Sequence, residues 1–554
     1  MSRGWSGWFA GGLGAGAVAG LAAFALVSGS ATSVASGSAA GPVTPRLVEE
    51  SASSGVRQVY DGGFEFYVGG GVAAFDCDDD GKSELYLAGG ANPASLYRNE
   101  SPVGGALKFS RVSDPATDLT SVTGAYPLDV DSDGITDLAV LRVGEDVLLR
   151  GLGGCRFERA NERWAYDGGD DWTAAFSATW EEGQDLPTLA VGNYLGPAAA
   201  DGSRACVPGA LYRPATGGTG FAAPVELAPA ECTLSVLFAD WNGTGRHDLR
   251  MANDRHYTRD GGEQLWRVDP GKAPALYTEA DGWVPLRIWG MGIATSDVDG
   301  DGLPEVFLSS QGDNKLQRLA DGPESPAYED VAIAYGVTAH RPFVGDASLP
   351  STAWHPEFAD VNADGRPDLY VSKGNVDAQP DHAADDPSSL LLAEEDGTFV
   401  ERARQAGLVS LGRSRGAVWA DLNLDGMLDL VEVNRARNVR VWRNVGAGSA
   451  ERPQAPGHWV GLRLAQDGAN RDAVGAWLEV RTEAGTQRRQ ITVGGGHASG
   501  HLGWVHVGLG AADSAEVRVR WPDGETGPWQ AVEADTFGVV ERGAERVRGW
   551  DVPR

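Results

Sequence analysis

The sequence predicts an all-β chain: a seven-bladed β-propeller followed by a small β-rich C-terminal domain. Three observations carry that prediction. An acidic loop with oxygen-bearing side chains at positions 1, 3, 5 and 9 and glycine at position 6 recurs six times. The copies start at 76, 129, 240, 297, 360 and 421, so most are 53 to 63 residues apart and one gap is about double. Each copy lies between two apolar, strand-like runs, and a unit of that length has room for about four short strands, which is one propeller blade.

The first loop offers Asp76, Asp78, Asp80 and Glu84, and the second Asp129, Asp131, Asp133 and Asp137. The third is weaker: Asp240, Asn242, Thr244 and Asp248. Then come Asp297, Asp299, Asp301 and Glu305; Asp360, Asn362, Asp364 and Asp368; and Asp421, Asn423, Asp425 and Asp429. Turn propensity explains one or two such residues, not four at fixed offsets. Carboxylates crowded this closely repel one another, and a hard cation removes the penalty; oxygen ligands at alternate positions suit Ca²⁺. Five to six Ca²⁺ ions are expected, one per intact loop, tying a loop to the start of a strand. Tandem EF-hands fail as an alternative, because helical periodicity and a glutamate at loop position 12 are missing.

The doubled gap between 129 and 240 predicts a degenerate copy near 180. Phe176–Trp180 precedes Leu189–Asn193 much as Val418–Asp421 precedes Leu430–Asn434, and the loop between, 181–188, has lost the carboxylate spacing. That makes seven units. The lead-in at Gln58–Val68 is expected to close the ring by pairing with the last blade, which removes an exposed sheet edge.

The formal net charge of −31 argues against nucleic acid as a partner. The six loops hold 21 of the 77 acidic residues, and one Ca²⁺ in each would bring the charge to about −19. Residues 1–45 read as an export segment: Arg3, an apolar run from Trp8 to Val27, then small residues with cleavage sites after Ala35 or Ala40. The apolar run also has the length of a membrane anchor. The expected location is therefore secreted, periplasmic or cell-surface. Cys206 with Cys232 is the favoured disulfide, since it closes a loop-rich segment, and Cys77 with Cys155 follows by elimination; four buried thiols are the alternative.

The loop pattern on a blade-length repeat, spanning about 46–450, resembles the FG-GAP/VCBS repeats of integrin-α-like propellers. After a Gly/Ala/Pro-rich linker at 446–457, residues 457–554 alternate like strands, with a hairpin turn at 483–486. Asn470–Ala476, Gly494–Gly496, Val507–Gly510 and Trp521–Gly524 resemble the ASPIC/UnbV domain. A propeller followed by this domain looks like the cartilage acidic protein family and its bacterial relatives.

A catalytic constellation is not legible. His497, His501 and His506 lie close together, but His506 faces away from its immediate neighbours on a strand, and a structural reading is favoured over zinc. His355, Glu357 and the Asp381–His382 pair read as isolated, and Gly494–Gly496 as a tight turn. Trp164, Tyr166, Trp172 and Trp180, with Trp283 and Trp289, are read as blade core before sugar platforms. The expectation is a monomeric, calcium-binding adhesion or scaffold module for extracellular protein or glycan. The large loops 201–231 and 342–353 are its candidate contact surface. The alternative is a carbohydrate-active lyase or hydrolase on the same scaffold.

Overall fold

The computed structural model describes residues 42–254 and 261–553. The export segment therefore lies outside the described residues, and among those no helix is long and apolar enough to cross a membrane. Nearly all regular structure is β.

Each repeat forms an antiparallel four-stranded sheet, built outward from an apolar first strand. In the first repeat Val72–Phe75 and Glu84–Leu87 are wholly buried, whereas the outer Phe109–Val112 is half exposed. Small and branched residues suit the inner strands because both of their faces are covered. Corresponding sheets begin at Val122–Leu128, Trp172–Thr179, Thr233–Ala239, Gly290–Ser296, Ala353–Ala359 and Ser414–Ala420. These first strands pack against one another in chain order, and the last returns to the first. The arrangement is consistent with a β-propeller.

The strand at the seam is Leu47–Glu49, which pairs antiparallel with Arg440–Asn444 and completes the last sheet. The expected closing segment, Gln58–Val68, contributes instead three isolated bridges, Val59 to Asn438 and Tyr60 to Arg435 in the last repeat and Asp61 to Gly90 in the first. The chain needs the short approach of 47–49 to cover the edge and then crosses inward. Of the expected contact loops, 201–231 carries two strands, Gly209–Tyr212 and Val225–Leu227, and so is partly an outer hairpin.

Both disulfides are present, Cys77–Cys155 and Cys206–Cys232, and they fit an oxidising, extracellular or periplasmic setting. Trp164, Tyr166, Trp172 and Trp283 are buried core residues, as expected, while Trp180 is half-buried and Trp289 exposed.

The C-terminal domain is two four-stranded sheets packed face to face. One holds His458–Ala465, Val505–Gly510, Thr536–Glu541 and Arg548–Trp550; the other holds Trp477–Thr482, Gly485–Gln490, Ser514–Arg520 and Gln530–Glu533. Val460, Leu462, Leu478, Val480, Val517, Val519 and Val540 fill the space between them. The strand Gly485–Gln490 stops at Gln490, because the chain there leaves the sheet and runs toward the first strands of the repeats.

Candidate metal centres, the cap and the channel

Each acidic loop connects the first strand of a sheet to the second, and its position-9 acid opens that second strand. Glu84, Asp137, Asp248, Glu305, Asp368 and Asp429 are all buried to within 1%. One oxygen accepts the N–H of loop position 2, from Cys77, Val130, Val298, Val361 or Leu422, at 2.7–3.1 Å. The other, where a bond is formed, takes an N–H at the end of the third strand, as Gly151 to Asp137 at 2.7 Å and Asn444 to Asp429 at 2.8 Å. The position-1 aspartate receives the N–H of the position-6 glycine at 2.7–3.1 Å in all six loops. That glycine lies at φ between 81° and 93°, where a side chain would strain the turn.

These turns bring carboxylate oxygens within 4.8 Å of one another in three groups: Asp76, Asp78 and Glu84; Asp129, Asp131 and Asp137; Asp297, Asp299 and Glu305. The position-5 residues Asp80, Asp133 and Asp301 fall outside these groups and accept the N–H of position 7. In the loops at 360 and 421 an asparagine occupies position 3, and Asp360, Asp364 and Asp368, like Asp421, Asp425 and Asp429, repel one another. Burial, then neighbouring carboxylates, raises these acids: Glu84, Asp137 and Glu305 to about 8, Asp129 and Asp360 to about 7, and Asp425 by burial to about 6. Buried oxygens without a hydrogen-bond partner remain on Asp76, Asp78, Asp131, Asp240, Asp297 and Asn423. This donor set, hard oxygens with unsatisfied lone pairs, fits a hard cation.

The 240 loop is different. Asp240 Oδ2 accepts Arg520 at 2.7 Å and the Trp477 indole at 3.0 Å, while Asp248 accepts Arg246, Trp241 and Tyr277. Asn242 and Thr244 bond to each other. Guanidinium groups supply the positive charge there. The degenerate loop near 180 follows the same logic: Glu181 pairs with Arg213 at 2.5 Å and accepts the Thr188 hydroxyl at 2.9 Å.

The C-terminal domain sits on the face that carries these loops. Arg463 reaches Asp76 at 3.2 Å and Arg488 reaches Asp297 at 3.1 Å. Trp504 Nε1 donates to the Gly81 carbonyl, Asn470 N to Ser132 Oγ, and His506 Nε2 to the Gly426 carbonyl, at 2.9–3.0 Å. Sequence reasoning missed this contact, although the Trp, Arg and His residues that make it stand out.

From this cap the segment 493–502 enters the ring. Val493 bridges to Ala178, Gly494 to Leu237, Gly496 to Ile293 and Ser499 to Ala125, and Gly500–Leu502 pairs in parallel with Ala73–Phe75. His497 N donates to His355 Nδ1 at 3.0 Å. His497 is fully buried; its Nε2 accepts the Gly69 N–H and its Nδ1 donates to the Met291 carbonyl, both at 3.0 Å. Burial first, then the nearby Arg415, lowers the His497 pKa to about 3. The inner strands carry glycines where the segment passes: added Cβ atoms at Gly71, Gly124 and Gly416 would overlap Ala498 or Ser499. Gly494–Gly496, expected as a tight turn, is thus an axial plug, and His501 lies on the strand that pairs with the first repeat.

The family model for FG-GAP-like repeats matches residues 76–140 and 297–371, and that for ASPIC and UnbV matches 466–547. The chain carries FG-GAP-like repeats and a C-terminal ASPIC/UnbV domain. The plug is therefore part of the ASPIC/UnbV domain, and all three carboxylate groups fall within matched FG-GAP repeats. No curated protein matches the chain. Among solved structures, it is similar to BBS1N in complex with ARL6DN, at 10% identity over 75% of this chain and 100% of that one, TM-score 0.41. It is similar also to an Agrocybe aegerita lectin specific for non-reducing terminal N-acetylglucosamine, at 16% identity over 73% and 80%, TM-score 0.27. A third is AofleA from Arthrobotrys oligospora, at 11% identity over 65% and 94%, TM-score 0.34.

Proposed function

We propose that the chain is an exported, calcium-stabilised propeller of seven blades, about 46–450, capped by the domain 457–554. It acts as a binding or adhesion scaffold for extracellular protein or glycan partners. The buried carboxylate groups with unpartnered oxygens support calcium at the loops beginning at 76, 129 and 297, and the three mutually repelling aspartates support it at 360 and 421. Five ions follow, since the 240 loop keeps only two acids, both paired with arginine, and its Asn242 and Thr244 bond to each other. Calcium here is structural: it offsets repulsion within the scaffold and couples folding to metal.

The occupied channel favours binding over catalysis. A lyase or hydrolase on this scaffold would need acid and base groups converging on open axial space, and residues 493–502 fill that space. Removing calcium with EDTA should lower the melting temperature, and mass spectrometry under native conditions should count five ions. Saturable binding to a matrix or glycan array without turnover completes the expected result. An unchanged melting temperature in EDTA overturns the calcium reading, and turnover of a polysaccharide overturns the scaffold reading.

A further inference from the structure

The tripeptide Asn-x-Ser/Thr, with x other than proline, is the acceptor signal for N-linked glycans on exported chains. It occurs twice here, at Asn99–Ser101 and at Asn242–Thr244. The fold separates the two. Asn99 ends the third strand of the first repeat and is only 3% exposed. Both of its amide hydrogens are committed, to the Ser83 carbonyl at 2.9 Å and the Leu422 carbonyl at 2.8 Å. A sugar on that nitrogen would displace one of these bonds inside the core.

Asn242 stands at position 3 of the 240 loop, half-buried, and Thr244 beside it is exposed. The Thr244 hydroxyl donates to Asn242 Oδ1 at 2.7 Å, so the two side chains of the signal lie together at the surface. Asn242 Nδ2 donates one hydrogen to the Pro323 carbonyl at 3.3 Å, and the other has no acceptor among the described residues. An N-linked sugar replaces one amide hydrogen and leaves one, so the bond to Pro323 survives the modification. The turn has room. An added Cβ meets nothing within 4 Å at Gly245, and at Gly243 it meets only Leu303, at 3.5 Å.

The sister loops show why this asparagine is free. Asn362 and Asn423 hold the same position but are buried to within 1%. Each gives its Nδ2 hydrogens to a backbone carbonyl and to the aspartate two residues on, Asp364 or Asp425. In the 240 loop a threonine replaces that aspartate, and arginines pair with the two remaining acids.

We infer that Asn242 is a site of N-linked glycosylation. The co-substrate is a diphosphate-activated oligosaccharide presented by a transferase. Nδ2 bonds to C1 of the sugar as the bond from C1 to the diphosphate oxygen breaks. The electron pair leaves with the diphosphate, and the transferase takes the amide proton. The inference rests on the export proposed above and names a modification of that exported scaffold.

The test is glycopeptide mapping by mass spectrometry on the full chain, purified from outside the cytoplasm of its own host. The Asn242 peptide should carry a glycan and the Asn99 peptide none. Asn242→Gln and Thr244→Ala should each lose the added mass, whereas Thr244→Ser should keep it. If Asn242→Gln fails to fold by circular dichroism, Thr244→Ala carries the test. A bare Asn242 on the exported, disulfide-bonded chain overturns the inference and leaves the scaffold reading standing. So does a glycan that persists in the folded Thr244→Ala variant. A chain found only in the cytoplasm overturns export and the inference together.

Discussion

Gly71→Ala tests the axial plug directly. Gly71 precedes the strand Val72–Phe75, and its φ lies outside the left-handed region, so alanine brings no torsional strain. The added methyl would stand 2.5 Å from the Ala498 carbonyl carbon and overlap its oxygen, and both belong to backbone that cannot rotate away. Either the plug withdraws or the inner strand moves. Withdrawal of residues 497–499 breaks five hydrogen bonds: Gly69 N to His497 Nε2, His497 Nδ1 to Met291 O and His497 N to His355 Nδ1, each at 3.0 Å, Val72 N to Ser499 Oγ at 3.1 Å and Ala125 N to Ala498 O at 3.2 Å. At about 1 kcal/mol each, with about 1–2 kcal/mol of packing strain, the cost is about 6–7 kcal/mol. The assay is urea denaturation alongside limited proteolysis of the 493–502 segment. Gly549→Ala is the control, since a Cβ there meets nothing within 4 Å. The expected result is a lower midpoint and new cleavage in the plug for Gly71→Ala alone. A wild-type midpoint with a protected segment would refute the reasoning.

Two further outcomes follow from the same structure. Asp425→Asn should have opposite signs with and without calcium: removing one of three crowded carboxylates stabilises the EDTA-treated chain, whereas it lowers the melting temperature in millimolar calcium; equal shifts in both conditions would count against an ion at this loop. His497 predicts an acid weakness. Its folded-state pKa, about 3, lies below the usual 6.5, so the neutral ring's contribution is complete above pH 6.5 and falls as the pH drops toward about 3. At pH 5 that is a loss of about 2 kcal/mol, measurable by urea titration at pH 7.5 and 5, and His497→Gln should lose less over the same interval.

The repeats were legible because the loop imposes a fixed chemistry at fixed offsets. Even the degenerate copy was legible from its flanks: Trp172–Thr179 and Thr188–Leu195 pair as a normal first hairpin although Glu181 now meets Arg213. Position 9 was assigned as a ligand, but its saturation by two backbone N–H groups in loops such as that at 129 was not, since those donors lie seven residues before it and 14 residues after it in chain order. The plug was illegible for a different reason. Glycine runs are read locally as turns, whereas Gly494–Gly496 owe their composition to strands some 200 to 300 residues distant. The seam strand Leu47–Glu49 was missed because three residues give too short a pattern to read.

The cap and the acidic loops meet through two kinds of contact, and these respond differently to charge. Arg463, Arg488 and Arg520 hold the position-1 aspartates Asp76, Asp297 and Asp240 by ion pairs, and Arg488 also pairs with Glu479 of the cap at 3.2 Å. A cation on the free Asp76 and Asp297 oxygens would weaken the first two of those attractions. Trp504, Asn470 and His506 instead hold a loop carbonyl or hydroxyl through neutral hydrogen bonds. Those acceptors are in place only when the loop keeps its shape, which an ion would reinforce. The plug adds contacts to the first strands that involve no loop acid at all. Docking of the cap therefore rests on backbone complementarity, neutral donors and the Arg520–Asp240 pair at 2.7 Å, none of which an ion in the other loops weakens. That is the arrangement needed if the domain is to stay seated whether or not each loop holds its ion.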